Sequence, residues 1–218
     1  RLSKNNPLID QLPISEGLKL MLRDQSKAVS AIEKILPEIE KTIDNICEKL
    51  NVNKKSRLIY SGAGTSGRIG VQDGVELNPT FSWPLKRLDF ILAGRKKALM
   101  RPIENSEDDI IDAKKQFDKK NINSDDVIFG ISASGNTEFT NEIMKLSLNK
   151  QALTVTISNN PKGNLIKYGN FNLILDTKEE ILAGSTRLKA GTAQKICLNI
   201  ISTIVMTKLG LVKDGLII

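Results

Sequence analysis

Two short clusters of glycine and hydroxyl residues carry the first chemical signal in this chain. Gly62-Ala63-Gly64-Thr65-Ser66-Gly67-Arg68 combines glycines, which let backbone approach a ligand closely, with the hydroxyls of Thr65 and Ser66. Ser132-Ala133-Ser134-Gly135-Asn136-Thr137 repeats the theme with three hydroxyls around one glycine. Each cluster follows a short apolar run and precedes a helical pattern. Free amides at a helix start, together with hydroxyl donors, can surround a phosphate dianion without a metal or a lysine. The spacing Gly62-x-Gly64-x-x-Gly67 also fits a dinucleotide fingerprint. The next strand, however, ends in Ala93-Gly94 and lacks the acidic residue that a ribose would need. A turn with a helix cap is the plain alternative for either cluster alone. Two such clusters, each at the carboxyl end of a strand, favour a ligand.

The chain contains no histidine. Ser-His-Asp and Cys-His catalysis and histidine-based metal sites are therefore excluded together, and any acid or base must be a carboxylate, Lys, Tyr or Cys. Cys47 and Cys197 are far apart, form no Cys-x-x-Cys motif, and read as buried thiols.

The elements that position these clusters follow from periodicity. Over 16–50 apolar residues recur at helical spacing, with Pro37 where a second helix or a kink can start. After the polar stretch Asn51-Val52-Asn53-Lys54-Lys55, short apolar runs end in glycine or serine, which suits buried parallel strands at 57–61, 88–92, 127–131, 153–157 and 171–175. Intervening segments are long enough for crossover helices, and 187–209 reads as a closing helix. This gives an α/β fold with a parallel sheet, preceded by an N-terminal helical arm.

With 218 residues, 40% of them apolar and 26% charged, the chain can bury one sizeable core. Its net charge of +7 suits anionic ligands. Nucleic acid is disfavoured, because aromatics are only 4% and the basic residues are scattered. The longest apolar stretch, 196–212, is broken by Asn199, Thr203, Thr207 and Lys208, so no membrane partner is expected. Residues 1–7 lack the apolar core of a secretory signal, and the chain reads as cytoplasmic.

The paired loops resemble the sugar isomerase domain, a phosphosugar-binding fold. The likeness implies a three-layer, flavodoxin-like sandwich around a five-stranded parallel sheet. It narrows through Leu58-Ile59-Tyr60 and the first loop to Asp73, Glu76 and Pro79-Thr80-Phe81, then to the twelve-residue run Gly184-Ser185-Thr186-Arg187-Leu188-Lys189-Ala190-Gly191-Thr192-Ala193-Gln194-Lys195. In these residues the chain is similar to the N-acetylmuramic acid 6-phosphate etherase family. The resemblance divides the chain into an arm at 1–50 and the sugar isomerase domain at 51–218, with the family's C-terminal helical region absent.

What the resemblance implies is specific. Glu76 and Glu107 form the catalytic pair, while Gly64, Thr65, Ser66, Gly67, Arg68, Ser132, Ser134, Gly135, Asn136, Thr137 and Lys189 hold the substrate. The partners are a sugar phosphate and a second copy in a homodimer; no cofactor is expected. Glu76 is flanked by Val75, Leu77, Pro79 and Phe81, an apolar setting that would raise its pKa. Glu107 sits in an acidic run that alone reads as a solvated helix start capped by Ser106. Lys189 and Lys195 are candidates for neutralising phosphate or a carboxylate, against the common surface role of helical lysines. Departures from the family occur at Gly74-Val75, Leu77-Asn78, Arg95, Asn136 and Glu138. A noncatalytic phosphosugar regulator and an aldose-ketose isomerase remain as rival functions on the same fold.

Overall fold

The computed structural model of the protein describes residues 8–217. The stretch 1–7, read above as lacking a signal core, lies outside the described residues. Two helices form the arm: α1 (Ile14–Glu33) and α2 (Leu36–Val52), parted at Lys34-Ile35, with Pro37 in the first turn of α2 where its missing N–H costs nothing. Five strands then alternate with helices: β1 (Leu58–Gly62), α3 (Gly64–Phe81), β2 (Leu88–Leu92), α4 (Ile110–Lys120), β3 (Val127–Ser132), α5 (Glu138–Asn149), β4 (Leu153–Ser158), β5 (Phe171–Ile174) and α6 (Lys189–Lys208). Each strand expected from the apolar runs is present to within one residue at either end.

The strands pair in parallel in the order β2-β1-β3-β4-β5. Every residue of β1 and β3 is buried, as expected for strands covered on both faces. On one face Leu58, Tyr60, Phe129, Val155 and Leu173 pack beneath α2, α3 and α6. On the other, Ile59, Ile91 and Ile128 meet Phe117 of α4 and Phe139 and Ile143 of α5. This is a three-layer α/β sandwich. The arm joins the first layer, since Ile39, Ile43, Ile46 and Leu50 of α2 and Ala28 and Ile32 of α1 belong to the same core.

One element was not read from the sequence. Val212–Lys213 (β6) and Leu216–Ile217 (β7) form a small antiparallel hairpin. Asp214 and Gly215 supply its turn with φ of 51° and 76°, the conformation that an Asp-Gly pair favours in a two-residue hairpin loop. No helix among the described residues is long and apolar enough to cross a membrane.

Candidate active site

In the order β2-β1-β3-β4-β5 the chain leaves β1 toward one edge and β3 toward the other, so a crevice opens where these two strands end. Gly62, the last residue of β1, pairs with Ile131 of β3. The two clusters are thus neighbours.

The first cluster turns from β1 straight into α3. A Cβ on Gly67 would lie 2.9 Å from the carbonyl carbon and oxygen of Gly62, and one on Gly62 would lie 2.9 Å from the Gly67 nitrogen. Only glycine at both positions lets helix and strand approach this closely. No side chain caps the start of α3, which leaves its leading amides open. Gly64 and Thr65 remain accessible, Ser66 and Gly67 are buried, and Arg68 donates from Nε to the Ala98 carbonyl at 2.9 Å. Arg68 thereby ties the turn Arg95–Leu99 over the first loop.

The second cluster is a hydroxyl hub. Ser132 Oγ lies 2.9 Å from Thr137 Oγ1 and 3.4 Å from Ser134 Oγ, and accepts from the Gly135 amide at 3.1 Å. Thr137 stands at the N-cap of α5 yet makes no cap bond, because its hydroxyl turns back to Ser132. The capping alternative therefore fails for this residue. Gly135 has φ +67° and crosses Gly163 so closely that an added Cβ would sit 2.8 Å from the Gly163 Cα. Asn136 accepts from the Asn164 amide at 3.0 Å, and Asn160 donates to the Ser134 carbonyl at 2.9 Å. Asn160 and Asn164, which the sequence reading missed, thus brace a loop in which it had named Asn136.

The two glutamates stand on different elements. Glu107 is exposed in the short turn Ser106–Asp108, which packs against α5 in the segment that follows β2. The cap of α4 is Asp109, which accepts from the Asp112 amide at 2.8 Å, and not Ser106, whose hydroxyl bonds back to Ile103. Glu76 is twelve residues beyond Gly64 on α3, a separation of about 18 Å along the helix axis. It too is exposed, and Val75 beside it points away at 44% exposure, so the apolar setting expected for Glu76 is absent.

Glu76 opens instead onto a cleft of about 220 Å³ between α3 and α6, shared with Asp73, Thr80, Lys195, Asn199 and Ser202. The displaced carboxyl here is Asp73. It is 5% exposed and accepts from Tyr60 Oη at 2.9 Å, Asn199 Nδ2 at 2.8 Å and Ser202 Oγ at 3.0 Å. Burial raises its pKa, and the three hydrogen bonds and the Lys195 charge only partly oppose the shift. The Tyr60 hydroxyl is driven well above its ordinary range by burial and by the Asp73 charge. Asn199, noted in the sequence as a polar break in an apolar helix, was the available clue to this network.

Lys189 is not on the surface. Its side chain is 1% exposed, with Nζ 2.8 Å from Asp24 Oδ1 of α1 and bonded to the Glu179 carbonyl. Glu180 accepts from the Ala190 amide at 2.9 Å, and burial raises its pKa. Cys197 is buried, and burial carries its thiol up to about 12; Cys47 is half-buried. A roomier cavity of about 520 Å³ lies between α3 and α4 at the open edge of β2, floored by Val71, Val75 and Phe90.

The chain is 38% identical over 210 residues to the N-acetylmuramic acid 6-phosphate etherase of Deinococcus radiodurans, covering 96% of this chain and 68% of that protein. The chain belongs to the N-acetylmuramic acid 6-phosphate etherase family. The Clostridium beijerinckii etherase gives 40% identity over the same shares of 96% and 68%. Two family models also match: the glucokinase regulatory protein N-terminal SIS domain over residues 38–148, and the SIS domain over residues 107–202. Among solved structures, a Bacteroides fragilis protein described as a phosphosugar isomerase involved in capsule formation superposes with TM-score 0.69 at 19% identity, covering 93% of this chain and 95% of its own. The Vibrio vulnificus NanR protein complexed with ManNAc-6P gives TM-score 0.52 at 17% identity, over 84% and 60%. These structural likenesses carry the fold, and the etherase relatives carry the family.

Proposed function

We propose that this protein is a carbon-oxygen lyase that cleaves the D-lactyl ether of N-acetylmuramic acid 6-phosphate, giving N-acetylglucosamine 6-phosphate and D-lactate during cytoplasmic recycling of cell-wall amino sugars. One observation carries the reading: in a chain of the etherase family, two uncapped helix starts and the Ser132-Ser134-Thr137 hydroxyls converge where β1 and β3 part. That crevice suits the 6-phosphate, with Gly64, Thr65, Ser66, Gly67 and Arg68 on one side and Ser132, Ser134, Gly135, Asn136 and Thr137 on the other. Lys189 acts on the ligand through the start of α6, which it anchors.

The reaction follows from the acidity of the sugar carbon next to a carbonyl. In the open-chain aldehyde, a base removes the proton on carbon 2 and the bond from carbon 3 to the lactyl oxygen breaks. The electron pair leaves with that oxygen, which takes a proton from an acid. Water then adds at carbon 3 of the unsaturated aldehyde, so that the net change is hydrolysis of the ether. Glu107, in the segment beside the loops, takes the carbon-bound proton and handles the later water, while Glu76 protonates the departing lactate. Because Glu76 lies about 18 Å along α3 from Gly64, where the open amides of the helix start meet the phosphate, the reading places Glu76 from a second copy over the sugar. The exposed stripe Ile14, Leu18, Leu22 and Val29 on α1 supports a homodimer.

The test is incubation of purified protein with N-acetylmuramic acid 6-phosphate, assaying D-lactate and N-acetylglucosamine 6-phosphate. Turnover that disappears in Glu76→Gln and Glu107→Gln supports the reading. Normal lactate release by either variant overturns its role. The match of 38–148 to the glucokinase regulatory protein domain favours a second reading, a noncatalytic phosphosugar regulator. Thermal stabilisation by sugar phosphates with no lactate released would select it.

A further inference from the structure

The cleft between α3 and α6 contains an ammonium group that the reaction above does not use. Lys195 lies in the same cleft as Glu76. Its Nζ donates to Asn199 Oδ1 at 2.6 Å and makes no ion pair among the described residues. The orientation of Asn199 is fixed from behind. Its amide donates to Asp73 Oδ1 at 2.8 Å, which leaves only its oxygen to face Lys195. Asp73 is in turn held by Tyr60 and Ser202 in the core. A chain of hydrogen bonds thus runs from the sheet through Asp73 and Asn199 to a positioned cation. Gln72 and Thr80, which also line the cleft, have no side-chain partners among the described residues and remain available as donors.

From this arrangement we infer that Lys195 is the specificity-determining residue for the substrate's lactyl carboxylate, which it pairs with while Glu76 faces the adjoining ether oxygen. The inference rests on the proposed etherase reading. The chemistry fits, since a 2-hydroxy-acid ether places its carboxylate one carbon from the oxygen that must be protonated. An ammonium that meets the carboxylate therefore presents that oxygen to a carboxyl in the same cleft. A cleft of about 220 Å³ has room for a lactyl group, while the phosphate belongs to the crevice between β1 and β3. A charge-assisted bond of this kind separates ligands with and without the carboxylate by about tenfold to a hundredfold in affinity.

The experiment measures binding of two ligands to the Glu76→Gln protein, with and without Lys195→Gln: N-acetylmuramic acid 6-phosphate, which has the lactyl group, and N-acetylglucosamine 6-phosphate, which lacks it. Lys195→Gln should weaken the first by about tenfold to a hundredfold and leave the second unchanged. Lys195→Arg should restore most of the loss. Asn199→Ala should show a smaller loss in the same direction, because it frees the lysine from its support. Equal weakening of both ligands would make Lys195 a phosphate or folding residue, and no weakening would remove it from the site; either result overturns the inference. If the Glu76→Gln parent binds neither sugar phosphate, the etherase reading itself falls. That failure is recognisable before Lys195 is touched.

Discussion

Replacing Lys189 with Met separates a structural from a ligand-binding role for the most deeply buried cation among the described residues. Lys189 and Asp24 have side chains 1% and 4% exposed and meet at 2.8 Å, joining α6 to α1, while the Glu179 carbonyl takes a second hydrogen bond. Removing one partner of such a buried pair costs about 3–5 kcal/mol, because the other charge stays buried. Here Lys27 lies 2.9 Å from the same Asp24 oxygen and compensates part of that charge, although its own side chain is 55% exposed and its contribution is correspondingly small. The expected net loss is about 2–3 kcal/mol, or about 5–10 °C in Tm for a chain of this size. The double variant Asp24→Leu with Lys189→Met replaces the pair by apolar side chains and should recover most of the loss, since buried pairs are often no better than well-packed hydrophobic replacements. Thermal and urea unfolding of the two single variants and the double variant measure the coupling. A Lys189→Met protein with unchanged Tm and a raised KM for sugar phosphate would refute the burial argument and return Lys189 to direct contact with the ligand.

Other consequences of the geometry are as direct. Gly67→Ala puts a Cβ 2.9 Å from the Gly62 backbone, which cannot yield as a side chain would, and should cost about 1–3 kcal/mol in urea unfolding while disturbing the first loop; an unchanged midpoint would contradict the close approach. Ser132→Ala removes the hydroxyl that joins Ser134, Thr137 and the Gly135 amide, and should weaken sugar phosphate binding by about tenfold to a hundredfold in titration calorimetry with little change in Tm. For pH, Asp73 has its folded pKa raised above the ordinary 3.8, so its stabilising contribution is complete below 3.8 and is lost as pH rises through the raised value. Asp24 shows the opposite shift: burial alone would raise it, but the Lys189 and Lys27 contacts bring it below 3.8, so its contribution is present above 3.8 and is lost as pH falls further. Asp73→Asn should therefore flatten the decline of stability that sets in as pH rises above 3.8 and leave the acid limb intact, as read by chemical denaturation at stepped pH. Survival of the same slope in the variant would assign it to another group, with Glu180 first in line because burial raises its pKa too.

How far the site could be read in advance depended on how local its determinants are. The strands were legible because burial on both faces demands an apolar run, as in Leu58-Ile59-Tyr60 and Val127-Ile128-Phe129. The loops were legible because a tight strand-to-helix turn needs glycine, and Gly62 with Gly67 meets that need in one short segment. What escaped was set by contacts distant in sequence. The apolar neighbours of Glu76 gave no account of its surroundings, since on a helix Val75 faces away from Glu76 and only the tertiary position of α6 fixes the cleft. Asp73 depends on Ser202, 129 residues on, and Lys189 on Asp24, 165 residues back. No windowed pattern holds such pairs. A faint trace remained in Asn199, a polar residue in an apolar helix, which a reading for membrane spans treated as an interruption although it supports the cation beside it.

On the proposed reading, the missing histidine and the distance along α3 belong to one argument. Without histidine, proton transfer rests on carboxylates, and a carboxylate acts at hydrogen-bond range. The segment bearing Glu107 sits with the loops, held there in part through Arg68 and Ala98, whereas Glu76 lies about 18 Å down α3 beside Lys195. An isolated chain can then hold the phosphate or face the lactyl group, but cannot do both to one molecule. A second copy resolves this by laying its α3-α6 cleft over the first copy's crevice. Mixing Glu76→Gln with Glu107→Gln protein should accordingly restore lactate release, because a hybrid dimer contains one site with both carboxylates intact. If each variant is inactive alone and the mixture stays inactive while exchange of subunits is demonstrated, the two glutamates act within one chain, and α3 must deliver Glu76 to the crevice by a rearrangement of the helix itself.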